Sequence, residues 1–143
     1  MGQKTGSKVL IVDDEPDTVE LLQIFLSKSY NTIPAYCGRE ALNKVRSEQP
    51  DIIILDIMMP DMTGYEVCKI LKSDMKTMSI PIIMYSALSN SSDMKKGIDA
   101  GADEYLTKPV NIEKLNSILS TLINRSLNDD ANIREKESRV YSY

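Results

Sequence analysis

The segment IIILDIMMPDMTG, residues 52–64, decides the fold of this chain. Its first four residues are apolar without alternation, which is typical of a strand covered on both faces by helices in a parallel sheet. The run ends at Asp56, and Pro60 and Gly64 then indicate a loop. Because open α/β sheets place their chemistry at the carboxyl ends of the strands, Asp56 is the first candidate functional residue.

The composition describes a small acidic protein. The 143 residues include 17 basic and 21 acidic side chains, for a net charge of −4. This length predicts one domain with a substantial core, and the acidic balance does not support a nucleic-acid surface. No apolar run approaches a membrane span, and the polar start lacks the apolar core of a signal peptide. We therefore expect a cytoplasmic protein with neither nucleic acid nor membrane as a partner.

The residues with side chains suited to catalysis are limited. Cys37 and Cys68 are isolated, which favours reduced thiols over a disulfide framework. The sequence contains no histidine, which excludes histidine-based triads, general bases and metal ligands. Carboxylates, hydroxyls and lysines remain as the groups that can carry chemistry.

Five apolar strand patterns each precede an amphipathic helix pattern. The predicted strands are residues 9–12, 32–35, 51–55, 82–85 and 104–107. Pro34 lacks a donor for the sheet ladder, so the second strand is predicted at an edge. Strand-helix units of about 20 to 25 residues predict an α/β fold with a parallel sheet and right-handed crossovers.

The predicted domain covers residues 8–124. Residues 1–7 form a polar N-terminal segment, and residues 125–143 form a polar C-terminal tail with mixed charge. The tail either extends the last helix or is disordered, and it has too few apolar residues for a second domain.

Polar side chains follow four of the predicted strands. Asp13 and Asp14 end the first strand, Asp56 the third, Ser86 the fourth and Lys108 the fifth. In parallel strands these ends lie at one edge, so the residues can converge. Three adjacent carboxylates repel each other, and Mg²⁺ is the cation that prefers such oxygen ligands. The sequence therefore predicts a magnesium site.

The same residues suit phosphoryl transfer to a carboxylate. An aspartate can act as a nucleophile and form an aspartyl-phosphate. A cation and Lys108 neutralise the charge on the transferring phosphoryl group, and Ser86 can donate a hydrogen bond to one of its oxygens. We therefore predict that Asp56 is a covalent phosphate acceptor.

Each residue also has an ordinary interpretation when it is considered alone. Asp13 and Asp14 are common at a solvated helix N-terminus, and Asp56 is common in a turn. Ser86 is typical of a turn or cap, and Lys108 of a surface. The joint placement of all of them at strand ends favours the functional interpretation.

The sequence resembles the receiver domain of response regulators, a chemotaxis-type module of two-component signalling. The resemblance covers roughly residues 9–123. The matching motifs are VDDEPD at 12–17, LDIMMPDMTG at 55–64, SA at 86–87 and AGADEYLTKP at 100–109. The resemblance implies a three-layer, flavodoxin-like (βα)5 fold whose five-stranded parallel sheet has the strand order 2-1-3-4-5.

The resemblance also implies the roles at the phosphorylation site. Asp56 corresponds to the phosphoacceptor, and Asp13 and Asp14 to the acid pair that binds Mg²⁺, with Asp14 as the more direct ligand. The backbone carbonyl of Met58 corresponds to a further metal ligand.

A second group of residues corresponds to the switch. Ser86 is the switch hydroxyl, and Tyr105 is the aromatic residue that turns inward when that hydroxyl moves. Lys108 pairs with the phosphate, and the peptide bond between Lys108 and Pro109 is expected to be cis.

The resemblance implies signalling partners rather than an enzyme's substrate. The donor is a histidine kinase or a phosphotransfer protein, and a target protein binds the face made by the fourth helix, fifth strand and fifth helix. The chain is expected to act alone, without an effector domain, as a monomer or a weak phosphorylation-dependent dimer. Basic residues that support pairing in the fifth helix are scarce here, and Asp103 is a candidate acidic partner with no evident counterpart.

Two positions that tune phosphate lifetime in the family are apolar in this chain. They are Met58, two residues after Asp56, and Leu88, two residues after Ser86. Neither side chain can position or activate an attacking water, so we expect slow hydrolysis of the phosphoryl group.

Three other function classes fit the sequence less well. A phosphatase with an aspartyl nucleophile needs a second acid two residues after that nucleophile, and this chain has Met58 there. A flavin-binding carrier needs a hydroxyl- and glycine-rich loop after the first strand, where this chain has DDEPD. A transcription factor needs a helix-turn-helix domain, and the chain after Ile123 is too short for one.

Overall fold

Five strands and five helices alternate along the described part of the chain. The computed structural model describes the backbone of residues 6–140 and the side chains of residues 6–129. In chain order the elements are β1 (Lys8–Val12), α1 (Pro16–Leu26), β2 (Asn31–Ala35), α2 (Gly38–Glu48), β3 (Ile52–Leu55), α3 (Gly64–Lys72), β4 (Ile82–Ser86), α4 (Ser91–Asp99), β5 (Glu104–Thr107) and α5 (Ile112–Val140).

The strands form one parallel sheet in the order β2-β1-β3-β4-β5. This order and the flavodoxin-like α/β fold confirm what the resemblance implied. β2 is an edge strand, as Pro34 predicted. The register aligns Val12 with Leu55 and Leu55 with Met84, so the carboxyl ends of the central strands lie at one edge.

Two apolar layers cover the sheet because alternate residues of a strand point to opposite faces. Leu10 and Ile53 belong to the layer packed under α2 and α3, whereas Ile11 and Ile54 belong to the layer under α1 and α5. All four are at most 1% exposed. Burying one such side chain contributes roughly 1.5 to 3 kcal/mol, so the double cover explains why these strands show no alternation in sequence.

The last helix includes most of the segment predicted as a tail. α5 has 29 residues and ends at Val140. Leu115, Leu119 and Leu122 lie on its buried face. The helix is therefore continuous through residues 125–140, while residues 1–5 and 141–143 of the predicted terminal segments lie outside the described residues.

α4 has little contact with the core. Gly97 is its one buried residue, and a β-carbon at this position would lie 2.8 Å from Cδ2 of Tyr105. The Asn90 side chain caps the helix by accepting a hydrogen bond from the Asp93 amide at 2.8 Å. Its other end is followed by Gly101, whose φ of +108° lies in the left-handed region that favours glycine.

Lys72 joins several segments at the amino ends of the strands. Its Nζ donates to the carbonyl oxygens of Met78 at 3.2 Å and Ile80 at 2.8 Å. It also forms an ion pair with Asp103 at 3.0 Å, and the same carboxylate oxygen accepts a bond from the Ile82 amide at 2.8 Å. Asp103 is therefore engaged within the chain, which reduces its value as an acidic partner for a second copy.

Within residues 6–140, no helix is both long enough and apolar enough to cross a lipid bilayer.

Candidate functional site

Asp13 and Asp56 are held by continuations of the sheet ladder. The Asp56 amide donates to the Val12 carbonyl at 2.9 Å, and the Asp13 amide donates to the Ala35 carbonyl at 3.1 Å. Asp13 is 2% exposed and Asp56 is 7% exposed, whereas Asp14 is exposed. One carboxylate oxygen from each of the three lies within 4.8 Å of the others. The predicted convergence of Asp13, Asp14 and Asp56 is therefore present.

Lys108 reaches this acidic cluster from the end of β5. Its Nζ lies 2.6 Å from Oδ2 of Asp13 and 3.6 Å from Oδ2 of Asp56. The Lys108 amide donates to the Ser86 carbonyl at 2.8 Å, which continues the β4–β5 ladder. The peptide bond between Lys108 and Pro109 is cis, as expected from the resemblance.

The negative charge at the site is only partly balanced. Burial, followed by the charge of Asp13, raises the pKa of Asp56 from 3.8 to about 6, although Lys108 and the Ile57 amide act in the opposite direction. Burial alone would lower the pKa of Lys108, but its hydrogen bond to Asp13 and the charge of Asp56 outweigh burial and raise it. One lysine therefore does not neutralise the carboxylates, and a second cation would stabilise them.

The donor set fits a hard divalent cation. It consists of carboxylate oxygens, two of them on buried residues, and it contains no sulfur or imidazole. Asp13, Asp14 and Asp56 therefore form an acidic triad of the kind that the resemblance implied for a Mg²⁺ site. Met58 follows on the next loop with a side chain that is 62% exposed, and the role of its backbone carbonyl as a further ligand stays a prediction.

The loop after Asp56 requires glycine where it joins α3. The Ile57 amide donates to Oδ1 of Asp56 at 2.8 Å, and the Gly64 amide donates to the Ile57 carbonyl at 2.8 Å. A β-carbon on Gly64 would collide with the backbone carbonyl of Asp56 and lie 2.9 Å from Cα of Ile57. The close approach of α3 to the acceptor therefore explains the glycine in this motif.

Asp61 anchors the same loop to α2, which the sequence reasoning missed. Its Oδ1 accepts from the Gly38 amide at 2.9 Å and its Oδ2 from the Arg39 amide at 2.8 Å. The bonds from Arg39 and Gly38 lower the pKa of Asp61. The Cys37 side chain at the N-cap of α2 makes no capping bond, so Asp61 supplies the cap from a distant part of the sequence.

Of the two predicted switch residues, Ser86 is the last residue of β4 and Tyr105 is the second residue of β5. Ser86 is 1% exposed, and its Oγ accepts a hydrogen bond from the Leu88 amide at 3.3 Å. Tyr105 is 5% exposed, and its hydroxyl donates to the Leu88 carbonyl at 2.6 Å. Both residues therefore contact the loop that leads to α4, and burial raises the pKa of Tyr105 to about 12.

Tyr65 makes a second contact with this region. It follows Gly64 at the start of α3, and its hydroxyl donates to the Asp93 carbonyl in α4 at 3.1 Å. The loop that carries Asp56 is thus connected to α4 through α3. Sequence spacing gives no signal for this contact, because the two residues are 28 positions apart.

The comparisons with known proteins agree with this geometry. Residues 9–120 match the family described as "Response regulator receiver domain". The chain belongs to this family. As a receiver it is a phosphoacceptor domain that acts in signalling and is not a classical enzyme, and histidine kinases are the partners of receivers.

Two curated relatives show how much of a response regulator the chain covers. It is 42% identical over 122 residues to the alkaline phosphatase synthesis transcriptional regulatory protein PhoP of Bacillus subtilis. The aligned region covers 85% of this chain and 50% of that protein. It is also 40% identical over 124 residues to response regulator MprA of Mycolicibacterium vanbaalenii. That aligned region covers 86% of this chain and 53% of that protein. The receiver therefore spans about half the length of the curated relatives it matches.

Solved structures support the same family. The chemotaxis protein CheY4 of Vibrio cholerae has a TM-score of 0.77 and 33% identity, over 82% of this chain and 99% of that one. A two-component response regulator from Clostridium difficile has a TM-score of 0.78 and 29% identity, over 83% of this chain and 97% of that one. Because transcriptional and chemotaxis proteins both match, the comparisons support the receiver family without a chemotaxis subtype.

Proposed function

We propose that Asp56 accepts a phosphoryl group from a phosphohistidine in a Mg²⁺-dependent reaction. The observation that carries this proposal is the convergence of Asp56, two further carboxylates and Lys108 at one edge of the sheet. In this reaction an Asp56 oxygen forms a bond to phosphorus while the bond between phosphorus and the donor imidazole nitrogen breaks. The electron pair of the broken bond stays on the imidazole.

The residues of this receiver have separate tasks in that step. Asp13 and Asp14 would hold Mg²⁺, which would neutralise charge on the phosphoryl oxygens. Lys108 places a compact positive charge 3.6 Å from Asp56, where it stabilises the charge that develops on the phosphoryl group. Ser86 supplies a hydroxyl that can donate to a phosphoryl oxygen.

Phosphorylation is proposed to act through Ser86 and Tyr105 on the face made by α4, β5 and α5. Both residues contact the loop before α4, and a target protein would bind this face when phosphorylation shifts its conformational equilibrium. The pairing of Asp103 with Lys72 supports the expectation of a monomer or a weak phosphorylation-dependent dimer. A cytoplasmic location stays a prediction.

The function is tested by incubating the protein with Mg²⁺ and a small acyl phosphate, followed by intact mass measurement. We expect the wild type to gain the mass of one phosphoryl group and Asp56→Asn to gain none. Asp61→Asn, which changes a carboxylate on the same loop outside the acidic cluster, is the matched control and should still be modified. A phosphoryl adduct on Asp56→Asn would show that the acceptor is another residue.

The apolar residues at positions 58 and 88 predict a long-lived phosphoryl group. Met58 is mostly exposed and Leu88 is half-buried, and neither can hydrogen-bond to an attacking water. We expect the adduct on purified protein to persist well beyond minutes after the donor is removed, and Met58→Asn to shorten its lifetime because an amide can hold a water. Loss of the wild-type adduct within minutes, followed by intact mass, would contradict this.

A further inference from the structure

Tyr85 places its aromatic ring beside the ammonium of Lys108. The Lys108 Nζ lies 5.4 Å from the ring centroid, within the distance of about 6 Å at which a cation is attracted to an aromatic face. Tyr85 is 8% exposed, so the ring is held in the structure. Tyr85 directly precedes Ser86 but has no role in the proposed phosphoryl transfer.

The sheet register explains why these two side chains meet. Tyr85 is the β-ladder partner of Leu106, and both belong to the apolar layer under α1 and α5. Lys108 follows Leu106 by two residues, and the Lys108 amide still donates to the Ser86 carbonyl at 2.8 Å. Because side chains two apart on a strand point to the same face, Lys108 projects on the side of the sheet where Tyr85 lies.

The ring gives Lys108 a contact that does not depend on the carboxylates. The ammonium otherwise contacts Asp13 at 2.6 Å and Asp56 at 3.6 Å, and the lysine side chain is 20% exposed. With Mg²⁺ on Asp13 and a phosphoryl group on Asp56, both of these contacts would change. The flexible lysine stem would then allow the ammonium to move towards solvent, whereas the attraction of the ring remains.

We propose that Tyr85 is a positioning residue that keeps the Lys108 ammonium next to Asp56 during phosphoryl transfer. This proposal rests on the proposed roles of Lys108 and Asp56. The ring acts through Lys108 and takes no part in the transfer of the phosphoryl group itself.

The structure provides a matched pair of variants. Tyr85→Phe keeps the aromatic face and removes only the hydroxyl. Tyr85→Leu removes the face and keeps an apolar side chain, and Tyr85→Met is a second apolar variant if the leucine variant folds poorly.

The first measurement is the rate of phosphorylation by a small acyl phosphate as a function of donor and Mg²⁺ concentration. We expect Tyr85→Phe to react like the wild type, and Tyr85→Leu and Tyr85→Met to react roughly 3- to 10-fold more slowly at saturation. The concentrations of Mg²⁺ and donor that give half-maximal rate should stay unchanged, because the carboxylates are intact. A general loosening of the site would change those concentrations as well.

The second measurement does not depend on phosphorylation. In protein with ¹³C-labelled lysine, the ring current of Tyr85 should displace the resonances of the Lys108 methylene group next to the ammonium. These resonances are identified by their absence from the spectrum of Lys108→Arg. We expect this displacement in the wild type and in Tyr85→Phe, and its loss in Tyr85→Leu.

The possible results separate the two proposals. If the wild type takes no phosphoryl group, the proposed function fails, and the role of Tyr85 fails with it. If the wild type is phosphorylated but the folded leucine and methionine variants react at the wild-type rate, the role of Tyr85 alone is overturned. An undisplaced Lys108 resonance in the wild type also overturns it, because the ring and the ammonium would not then be in contact.

Discussion

Replacing Asp56 by asparagine is expected to raise the free energy of unfolding of the metal-free protein by an amount on the order of 2 to 3 kcal/mol at pH 8. Burial and the charge of Asp13 raise the pKa of Asp56 from 3.8 to about 6. Above pH 6 the folded protein therefore holds an ionised Asp56 carboxylate in surroundings that disfavour its charge. One pKa unit corresponds to about 1.4 kcal/mol, which gives the magnitude. Asparagine has nearly the same shape and cannot ionise.

The sign of this effect gives its pH dependence. Between pH 3.8 and about pH 6 the folded protein binds more protons at Asp56 than the unfolded protein does, so the contribution of this group to stability falls as the pH rises. The advantage of Asp56→Asn should therefore vanish near pH 4 and be complete above about pH 6 to 7. Denaturant unfolding in a chelator, repeated across this range, measures it.

Asp61→Asn is the matched control for this prediction. The hydrogen bonds from Arg39 and Gly38 lower the pKa of Asp61, so its carboxylate stabilises the fold above its unfolded pKa and loses that contribution as the pH falls. The asparagine variant should be less stable than the wild type near neutral pH, which is the opposite sign. Added Mg²⁺ should stabilise the wild type and reduce its difference from Asp56→Asn. An Asp56→Asn protein no more stable than the wild type at pH 8 would contradict the charge argument.

Replacing Lys108 by methionine is expected to slow phosphorylation of Asp56 by about 100- to 1,000-fold, the range found when one preorganised electrostatic group is removed. Methionine keeps much of the apolar stem and removes the charge that lies 2.6 Å from Asp13 and 3.6 Å from Asp56. Because Lys108 lowers the pKa of Asp56, its loss should also move the rise of the rate with pH to higher pH. Intact mass measured over time at several pH values tests both effects.

Two other variants separate the position of the charge from its presence. Lys72→Met removes a lysine that forms an ion pair with Asp103 at the amino ends of the strands, away from Asp56. This variant should reduce stability without slowing phosphorylation. Lys108→Arg keeps the charge, but its planar guanidinium cannot occupy the place of a compact ammonium. We expect it to recover only part of the rate. A methionine variant that reacts within threefold of the wild type would remove Lys108 from the proposed mechanism.

The sequence predicted the features that depend on local pattern. The unbroken apolar run of β3 indicated a parallel sheet with two covered faces, and Pro34 indicated an edge strand. Asp13, Asp14, Asp56 and Lys108 could be placed together because the carboxyl ends of parallel strands share one edge. These predictions needed the order of the elements but no detailed packing.

The contacts that the sequence did not predict depend on how loops and helices meet. Asp61 caps α2 across 23 positions of sequence, and turn-forming residues such as aspartate give no indication of a distant partner. Tyr85 looks like an ordinary apolar strand residue until the register with β5 places it beside Lys108. Both contacts require coordinates because their partners are set by tertiary packing.

The shallow attachment of α4 has a consequence for motion in the native state. Its one buried residue is Gly97, so the helix itself contributes little apolar surface to the core, and lifting it costs less free energy than unfolding the strands beneath it. Its backbone amides should therefore exchange with deuterium long before those of β1 and β3. Because few buried contacts attach α4 to the sheet, a binding protein can displace this helix while the rest of the fold stays intact.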